Sequence, residues 1–490
     1  MCLRRLRLCG VILPALLVSC AAEPLPSPGW REEAPELLTL SSGRGPLQAG
    51  AARVSLDPPF ASPMAGYIGA SWFQLRELRD PLFVRAVVLD QGGRRFAFVS
   101  LDRVLIPPDF RAAVEMRPEV KRAGLSGWIV AGTHAHTAPG CFLDAWPAEL
   151  LGVGSHDPLL FDHLVDRTAK ALAEAAANLS LVRVEAGNAR LLEPSASWVS
   201  FNRRQVDAPS DPQIDVLRLK AGATSDVASG AASRNGSAGL ESDRTVATIT
   251  RFAAHPTLIP FYLRRASGDF PGICCRALEA SDGGVAIFAP GPCADLAAGN
   301  AADFAPAGWE RRVERIGRRL AREALNLKLE PVSTDASIAF CHLALRIKLP
   351  PREAWPVPFV GRDIASYYPD HAILQCVRLG DVLIVTFPGE MSSELGERIR
   401  SKGLERTKAR NVILWTLADH YMGYAFTRES LEKGGKSQHL SAYGPELGDL
   451  LEARMGELLV RTWKAGQPNA PGGTAGQESE KSDHEKKSEP

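Results

Sequence analysis

Two short segments of the chain set imidazoles where they can act together. Thr133-His134-Ala135-His136-Thr137-Ala138-Pro139-Gly140 directly follows an apolar run with strand character, Trp128 to Ala131. In extended backbone residues i and i+2 point to the same side, so both imidazoles can face one pocket. On its own such a pair reads either as metal ligands or as two satisfied or solvated side chains. Phe252-Ala253-Ala254-His255-Pro256-Thr257 again puts a His at the end of an apolar strand, just before a proline. Neutral imidazole is the commonest metal ligand, and the second segment strengthens that reading of the first. A third run, Val382 to Phe387, ends in Pro388-Gly389-Glu390. A fourth, Val412 to Leu417, leads into Asp419-His420-Tyr421-Met422-Gly423-Tyr424. Taken singly, Glu390 is equally a helix-start acid that complements the dipole, and the two tyrosines are ordinary half-buried aromatics. No Cys-x-x-Cys pair occurs among the nine cysteines, which argues against a cysteine-based zinc site.

The elements that must position these residues are legible as short runs rich in branched and aromatic side chains. Strands are expected at Val84 to Leu89, Phe96 to Ser100, Trp128 to Ala131, Val182 to Glu185, Ile214 to Leu219, Val246 to Phe252, Val285 to Phe288, Ser337 to Ile347, Val382 to Phe387 and Val412 to Leu417. Asp157-Pro158 is a cap and first-turn pair, followed at helical spacing by Phe161, Leu164, Val165, Thr168 and Leu172. Trp309 to Leu327 and Met391 to Lys402 read as further helices. Strands and helices mix without a strict alternating repeat, so the expected class is α/β in the mixed α+β sense. That means one large domain with mixed sheets and flanking helices rather than a barrel.

With 490 residues, 45% of them hydrophobic, the chain can bury a core without stapling. Its 57 basic and 56 acidic residues nearly cancel, and no basic block is interleaved with aromatics, which argues against a nucleic-acid partner. Residues 1–19 read as an export signal: Met1-Cys2-Leu3-Arg4-Arg5-Leu6-Arg7, then an apolar stretch too short for the roughly 20 residues that span a bilayer. Leu17-Val18-Ser19-Cys20 resembles a bacterial lipobox, so Cys20 is the expected lipidation site and the protein an envelope-anchored lipoprotein. The alternative is an ordinary signal peptide and a secreted soluble protein. Residues 20–45 read as a disordered linker, 46–465 as the folded domain with a surface loop insertion at 221–243, and 466–490 as a disordered polar tail. The six cysteines from Cys141 onward do not have the spacing of a small disulfide scaffold, and adjacent Cys274 and Cys275 read as small buried hydrophobes.

In order and wording the motifs resemble the neutral/alkaline non-lysosomal ceramidases over most of residues 50 to 450. Besides the segments above, the matching pieces are Met64-Ala65-Gly66-Tyr67, Asn202-Arg203, Ser267-Gly268-Asp269-Phe270-Pro271-Gly272 and Tyr443-Gly444-Pro445. The resemblance implies one Zn²⁺ held by His134, His255, Glu390 and Tyr424, with His136 and Arg203 as catalytic neighbours and Tyr421 at the substrate. It also implies hydrolysis of an amide such as that of ceramide, by attack of a water whose pKa the zinc lowers to about 7. The chain departs from the family pattern at Ala297, where the family's Gly-Asp-Val-Ser-Pro segment carries Ser, and at Lys436, where the family carries Tyr. No C-terminal immunoglobulin-like domain is expected. Because of these departures, two further readings stand beside ceramide hydrolysis: a non-catalytic lipid-binding protein, and a zinc hydrolase of another amide or ester.

Overall fold

The computed structural model describes residues 32–59, 62–67, 73–144, 154–191, 199–204, 210–222, 243–299, 308–332, 340–350, 368–434 and 441–467. The export signal, Cys20, Lys436, nearly all of the loop insertion and most of the polar tail lie outside them. In chain order the strands are β1 (Glu36–Gly43), β2 (Leu47–Ser55), β3 (Glu77–Leu78), β4 (Phe83–Gln91), β5 (Arg94–Leu101), β6 (Leu125–Gly132) and β7 (Ser180–Arg190). There follow β8 (Ser200–Asn202), β9 (Gln213–Ala221), β10 (Thr245–Phe252), β11 (Arg265–Ala266), β12 (Val285–Pro290), β13 (Leu296–Ala298) and β14 (Glu330–Pro331). The last are β15 (Phe340–Lys348), β16 (His371–Leu379), β17 (Val382–Phe387), β18 (Glu390–Met391), β19 (Asn411–Thr416) and β20 (Tyr424–Ala425).

A nine-stranded sheet runs β12-β10-β9-β7-β2-β4-β5-β6 with β14 attached to β7, and a five-stranded sheet runs β1-β15-β16-β17-β19. Their facing surfaces close on a shared core that includes Phe96, Phe98, Ile129, Ile249, Ile287, Val377, Ile384, Ile413 and Trp415. Helices cover both outer faces. Pro158–Ala177 packs its Leu164, Val165, Ala169 and Leu172 on the β2–β4–β5 side, and Asp269–Asp282 with Trp309–Asn326 cover β9, β10 and β12. Ser393–Arg406 and Glu446–Ala465 cover the five-stranded sheet. The result is a four-layer α–β–β–α arrangement. It explains why β17 (Val-Leu-Ile-Val-Thr-Phe) and β19 (Asn-Val-Ile-Leu-Trp-Thr) are apolar almost throughout: each is buried on both faces.

The mixed α/β class and the expected strands agree with this architecture, and Asp157 caps its helix by accepting hydrogen bonds from Leu159 N and Leu160 N. Two expectations are corrected. The linker expected at 20–45 contains β1, which pairs antiparallel with β15 some three hundred residues away. The local Pro, Ser and Gly content hid an edge strand whose ladder partner is that distant strand. The third helix begins at Ser393 behind the cap residue Ser392, two residues later than expected, because Glu390 and Met391 form β18. All six described cysteines are buried and no disulfide joins any two of them, in keeping with Cys274 and Cys275 as core residues. No helix among the described residues is long and apolar enough to cross a membrane.

Parallel pairs β5–β6, β10–β12 and β17–β19 align the carboxyl ends of β6, β10, β17 and β19, where open sheets place ligand sites. Behind that edge sits a buried ion network. Arg85 on β4, fully buried, donates from Nη1 to Asp102 at 3.1 Å and from Nε to Glu279 at 2.9 Å. Replacing Arg85 by Met leaves the buried Asp102 carboxylate without its guanidinium partner and Glu279 with Arg53 alone. The expected cost is about 3–5 kcal/mol, read as a lower unfolding midpoint in denaturant.

Candidate metal centre

β6 ends at Gly132, and the chain then turns sharply: Thr133 N donates to Leu101 O at 2.8 Å, and His134 takes a left-handed conformation, φ 66°. That conformation disfavours side chains other than glycine, and here it aims the imidazole into the gap between the sheets. His134 Nδ1 lies 2.7 Å from Val104 O, His136 Nδ1 2.6 Å from Gly66 O, and His255 Nδ1 2.7 Å from Cys293 O. A carbonyl oxygen only accepts, so each Nδ1 carries the proton and each neutral ring presents a bare Nε2. Gly66 is required at its position: with φ 111°, a Cβ there would fall 2.7 Å from the His136 ring.

The three bare nitrogens converge. His134 and His136 Nε2 are 3.2 Å apart, and the ligand-capable atoms of all three imidazoles lie within 4.8 Å of one another. Glu390 enters from the other sheet, its Oε2 3.0 Å from His255 Nε2 and 3.5 Å from His134 Nε2. It is held by backbone pairing to β20, with Glu390 N donating to Gly423 O at 2.9 Å. This settles its local role: it sits ahead of the helix cap and is not a helix-start acid. Tyr421, expected at the substrate, donates to Glu390 Oε1 at 2.8 Å. The Tyr424 hydroxyl hydrogen-bonds both Glu390 and Arg203.

Arg203 closes the remaining side. Its backbone N donates to Asp295 O at 2.8 Å, while its Nη2 donates to Ala294 O at 2.8 Å and reaches His255 Nε2 at 3.2 Å. Asp295, buried, accepts from Ser393 N and Ser393 Oγ at 2.7 Å and from Asn202 Nδ2 at 3.2 Å. It thereby ties the Arg203 segment to the segment after Glu390. Ala297 lies in the same turn, bridged to His255 and opposite Phe201.

Electrostatics follow from burial. Desolvation, reinforced by His134 and His255, holds His136 well below the usual imidazole range, and desolvation with nearby Arg203 lowers His255 to about 4. Burial alone would raise Glu390, but a proton on His134 or His255 beside it draws the carboxyl well below its usual range. Burial and the Glu390 charge push the phenols of Tyr421 and Tyr424 well up. Three lone pairs and an anionic oxygen therefore face one another out of water, an arrangement that a cation relieves and nothing apolar does. Zinc ligands at about 2.0–2.1 Å stand about 3.3 Å from one another around a tetrahedral ion. The separations of 3.0 and 3.5 Å between Glu390 Oε2 and the Nε2 atoms of His255 and His134 fit that spacing. His134 and His255 belong to both the three-imidazole group and the group containing Glu390.

Every described residue that the sequence reading assigned to the site is thus drawn to one place from separate strand ends; Cys20 lies outside the described residues. What the sequence reading missed is the ring of carbonyls from Val104, Gly66 and Cys293. Gly66 gave the one available signal, standing just before Tyr67 in a motif otherwise composed of side chains.

The fold is a mixed α/β one that buries a three-imidazole cluster able to hold a metal ion. The chain belongs to the neutral/alkaline non-lysosomal ceramidase family, whose N-terminal model matches residues 58–317, more than half of its length. The structure is similar to the neutral ceramidase from Pseudomonas aeruginosa, at 18% identity and a TM-score of 0.67, covering 85% of this chain and 74% of that one. It is also similar to a ceramidase complexed with C2, at 18% identity and a TM-score of 0.68, covering 88% of this chain and 77% of that one. At such identity the likeness concerns the fold. No curated protein sequence matches the chain. Glu390 and Tyr424 lie beyond the matched span, so their place at the centre rests on the geometry.

Stripping metal with a chelator is expected to lower the unfolding temperature, and restoring it to raise the temperature again. An ion present at a thousandfold its dissociation constant contributes about 4 kcal/mol to the native state. Differential scanning calorimetry of the stripped and reloaded protein checks this; identical melting curves would count against a metal centre.

Proposed function

We propose that the chain is a zinc-dependent hydrolase of the amide bond of an N-acyl lipid, with ceramide as the leading substrate. The observation that carries this reading is the convergence of His134 Nε2, His255 Nε2 and Glu390 Oε2 at 3.0 and 3.5 Å in a buried pocket of a ceramidase-family fold. Zinc is favoured over the harder oxygen-loving cations because the donors are imidazoles and a single carboxylate. His134, His255 and Glu390 would hold the ion, with Tyr424 against it. When bound, zinc supplies Lewis-acid polarisation of the scissile carbonyl and acidifies a water toward neutral pH.

The chain's own residues supply the rest. Tyr421 fixes the Glu390 carboxylate through Oε1, leaving Oε2 directed into the centre. Arg203, oriented by Ala294 O and by the Tyr424 hydroxyl, presents a cation beside the imidazoles, where negative charge grows on the carbonyl oxygen as it is attacked. His136 has its Nδ1 proton committed to Gly66 O, so Nε2 is the atom that takes a proton from the attacking water and passes it to the leaving amine. The burial that weakens it as a base makes its protonated form a ready acid for that second transfer. Ala297 brings only a methyl group beside His255, so amide attack in this chain proceeds without a hydroxyl at that position.

Export and anchoring belong to the same proposal: the lipobox-like Leu17-Val18-Ser19-Cys20 supports a lipoprotein that meets its substrate at the cell envelope. Cys20→Ala should abolish metabolic labelling by palmitate in a bacterial host.

Two outcomes test the enzymatic reading. His134→Ala and Glu390→Ala should each lose both metal and turnover, measured by elemental analysis and by fatty-acid release from a panel of ceramides, N-acyl amino acids and short esters. Purified protein that holds no stoichiometric zinc after mild preparation would refute it. Arg203→Met should keep the zinc while lowering kcat about 10²–10³-fold. Ala297→Ser, which restores a hydroxyl beside His255, is expected to raise ceramide hydrolysis at unchanged zinc content.

A further inference from the structure

The metal donors come from two sheets, and something must set the distance between them. His134 hangs from the end of β6 in the nine-stranded sheet. Glu390, Tyr421 and Tyr424 hang from two interleaved loops after β17 and β19 in the five-stranded sheet. Those loops are laced to each other by backbone: Leu417 N donates to Gly389 O at 3.0 Å, Ala418 N to Phe387 O at 3.1 Å and Met422 N to Pro388 O at 2.8 Å. Across to β6 the backbone contributes an isolated bridge between Ala131 and Ala418 and a 3.4 Å contact from Gly132 N to Leu417 O.

One side chain spans the same seam. Asp419, 4% exposed and left-handed at φ 66°, donates its own N to Val130 O at 2.6 Å. Its Oδ1 accepts from Val130 N at 3.3 Å and from Arg111 Nη1 at 3.1 Å. Its Oδ2 accepts from Gln375 Nε2 at 2.5 Å. The amide of Gln375 is turned the right way by its neighbours, since His342 Nε2 lies 2.7 Å from its Oε1 and its Nε2 also reaches Trp128 O at 3.2 Å. The carboxylate thus gathers donors from β6, from β16 and from the helix Phe110–Glu115. None of these contacts is with a metal-donor atom.

We propose that Asp419 is a positioning residue for the metal centre: a buried carboxylate that sets the spacing between the His134 strand end and the loops carrying Glu390, Tyr421 and Tyr424. The inference rests on reading the cluster as a zinc site. Its physical ground is that Leu417 and Asp419 both hold left-handed backbone without being glycine, φ 60° and 66°. Such backbone relaxes when the tie that enforces it is cut. Relaxation there moves Gly423 and Tyr424, and through the Gly423 O to Glu390 N bond it moves the carboxylate too. Orienting groups one contact removed from a metal govern its affinity in the same way.

Asp419→Asn keeps the volume, removes the charge and sets an amide NH₂ against that of Gln375. The expected result is zinc affinity about 10–100-fold weaker, by competition with a chromophoric chelator, and an altered visible spectrum of the cobalt-substituted protein. In the metal-free protein, hydrogen exchange should quicken in residues 130–134 and 417–425 while the rest of the chain keeps its protection. Arg111→Met removes the counter-charge from a partly exposed position and should weaken zinc several-fold, so it carries the test should Asp419→Asn fail to fold. Wild-type affinity, cobalt spectrum and exchange in the folded variants would overturn the proposal. A wild-type protein that binds no zinc would instead sink the zinc reading. The exchange experiment would then decide alone, with a uniform rise or no change counting against Asp419 and a rise confined to the two segments supporting it.

Discussion

Acceptors that face acceptors in a buried place are the constraint on which the structure turns. Each imidazole of the cluster gives its one proton to a backbone carbonyl, of Val104, Gly66 or Cys293, and is left with a lone pair directed at the other two. Glu390 adds an anionic oxygen within 3.0 Å of one of them. Folding without a metal ion leaves the Arg203 guanidinium, 3.2 Å from His255 Nε2, to offset their mutual repulsion away from water. On the proposed reading, metal binding would complete the closing of this edge of the molecule, and the tautomer of every ring is already decided by a carbonyl.

Holding four donors in place takes both sheets. The parallel pairs at β5–β6, β10–β12 and β17–β19 turn the carboxyl ends of four strands toward one edge, and the shared core between the sheets keeps that edge aligned. The cost is borne locally. His134, Leu417 and Asp419 all adopt left-handed backbone, roughly 1–2 kcal/mol each for side chains of this kind. Asp295 and Asp419 act as buried knots on opposite sides of the centre, the first joining Arg203 to the segment after Glu390, the second joining β6 to the tyrosine loop. Arg203, which flanks the donors, gains its orientation from the Asp295 segment, and His136 gains its own from Gly66 O.

Most of the centre was legible in the sequence, for a physical reason. Short apolar runs lead directly to His134, His255 and Glu390 (Trp128 to Ala131, Phe252 to Ala254 and Val382 to Phe387), so a titratable residue just past each is conspicuous. The strands themselves were legible for the same reason, as was the capped helix at Pro158. Strand β1 was not, because its residues are half exposed and its partner is remote. The role of Tyr421 was not either, because which tyrosine touches which carboxylate oxygen depends on the pitch of a loop with Gly423 at φ 84°. Nor was Asp419, whose three partner residues, Arg111, Val130 and Gln375, are scattered along the chain and share no local pattern. Side-chain chemistry is written in sequence neighbourhoods; the carbonyls and carboxylates that orient it are contributed by fold.

Zinc K-edge X-ray absorption on the loaded protein tests the central claim most directly. The account predicts a single shell of nitrogen and oxygen neighbours at about 2.0–2.1 Å, with the outer-shell scattering of at least two imidazoles and no sulfur. A shell containing sulfur at about 2.3 Å, or oxygen neighbours without imidazole scattering, would contradict it.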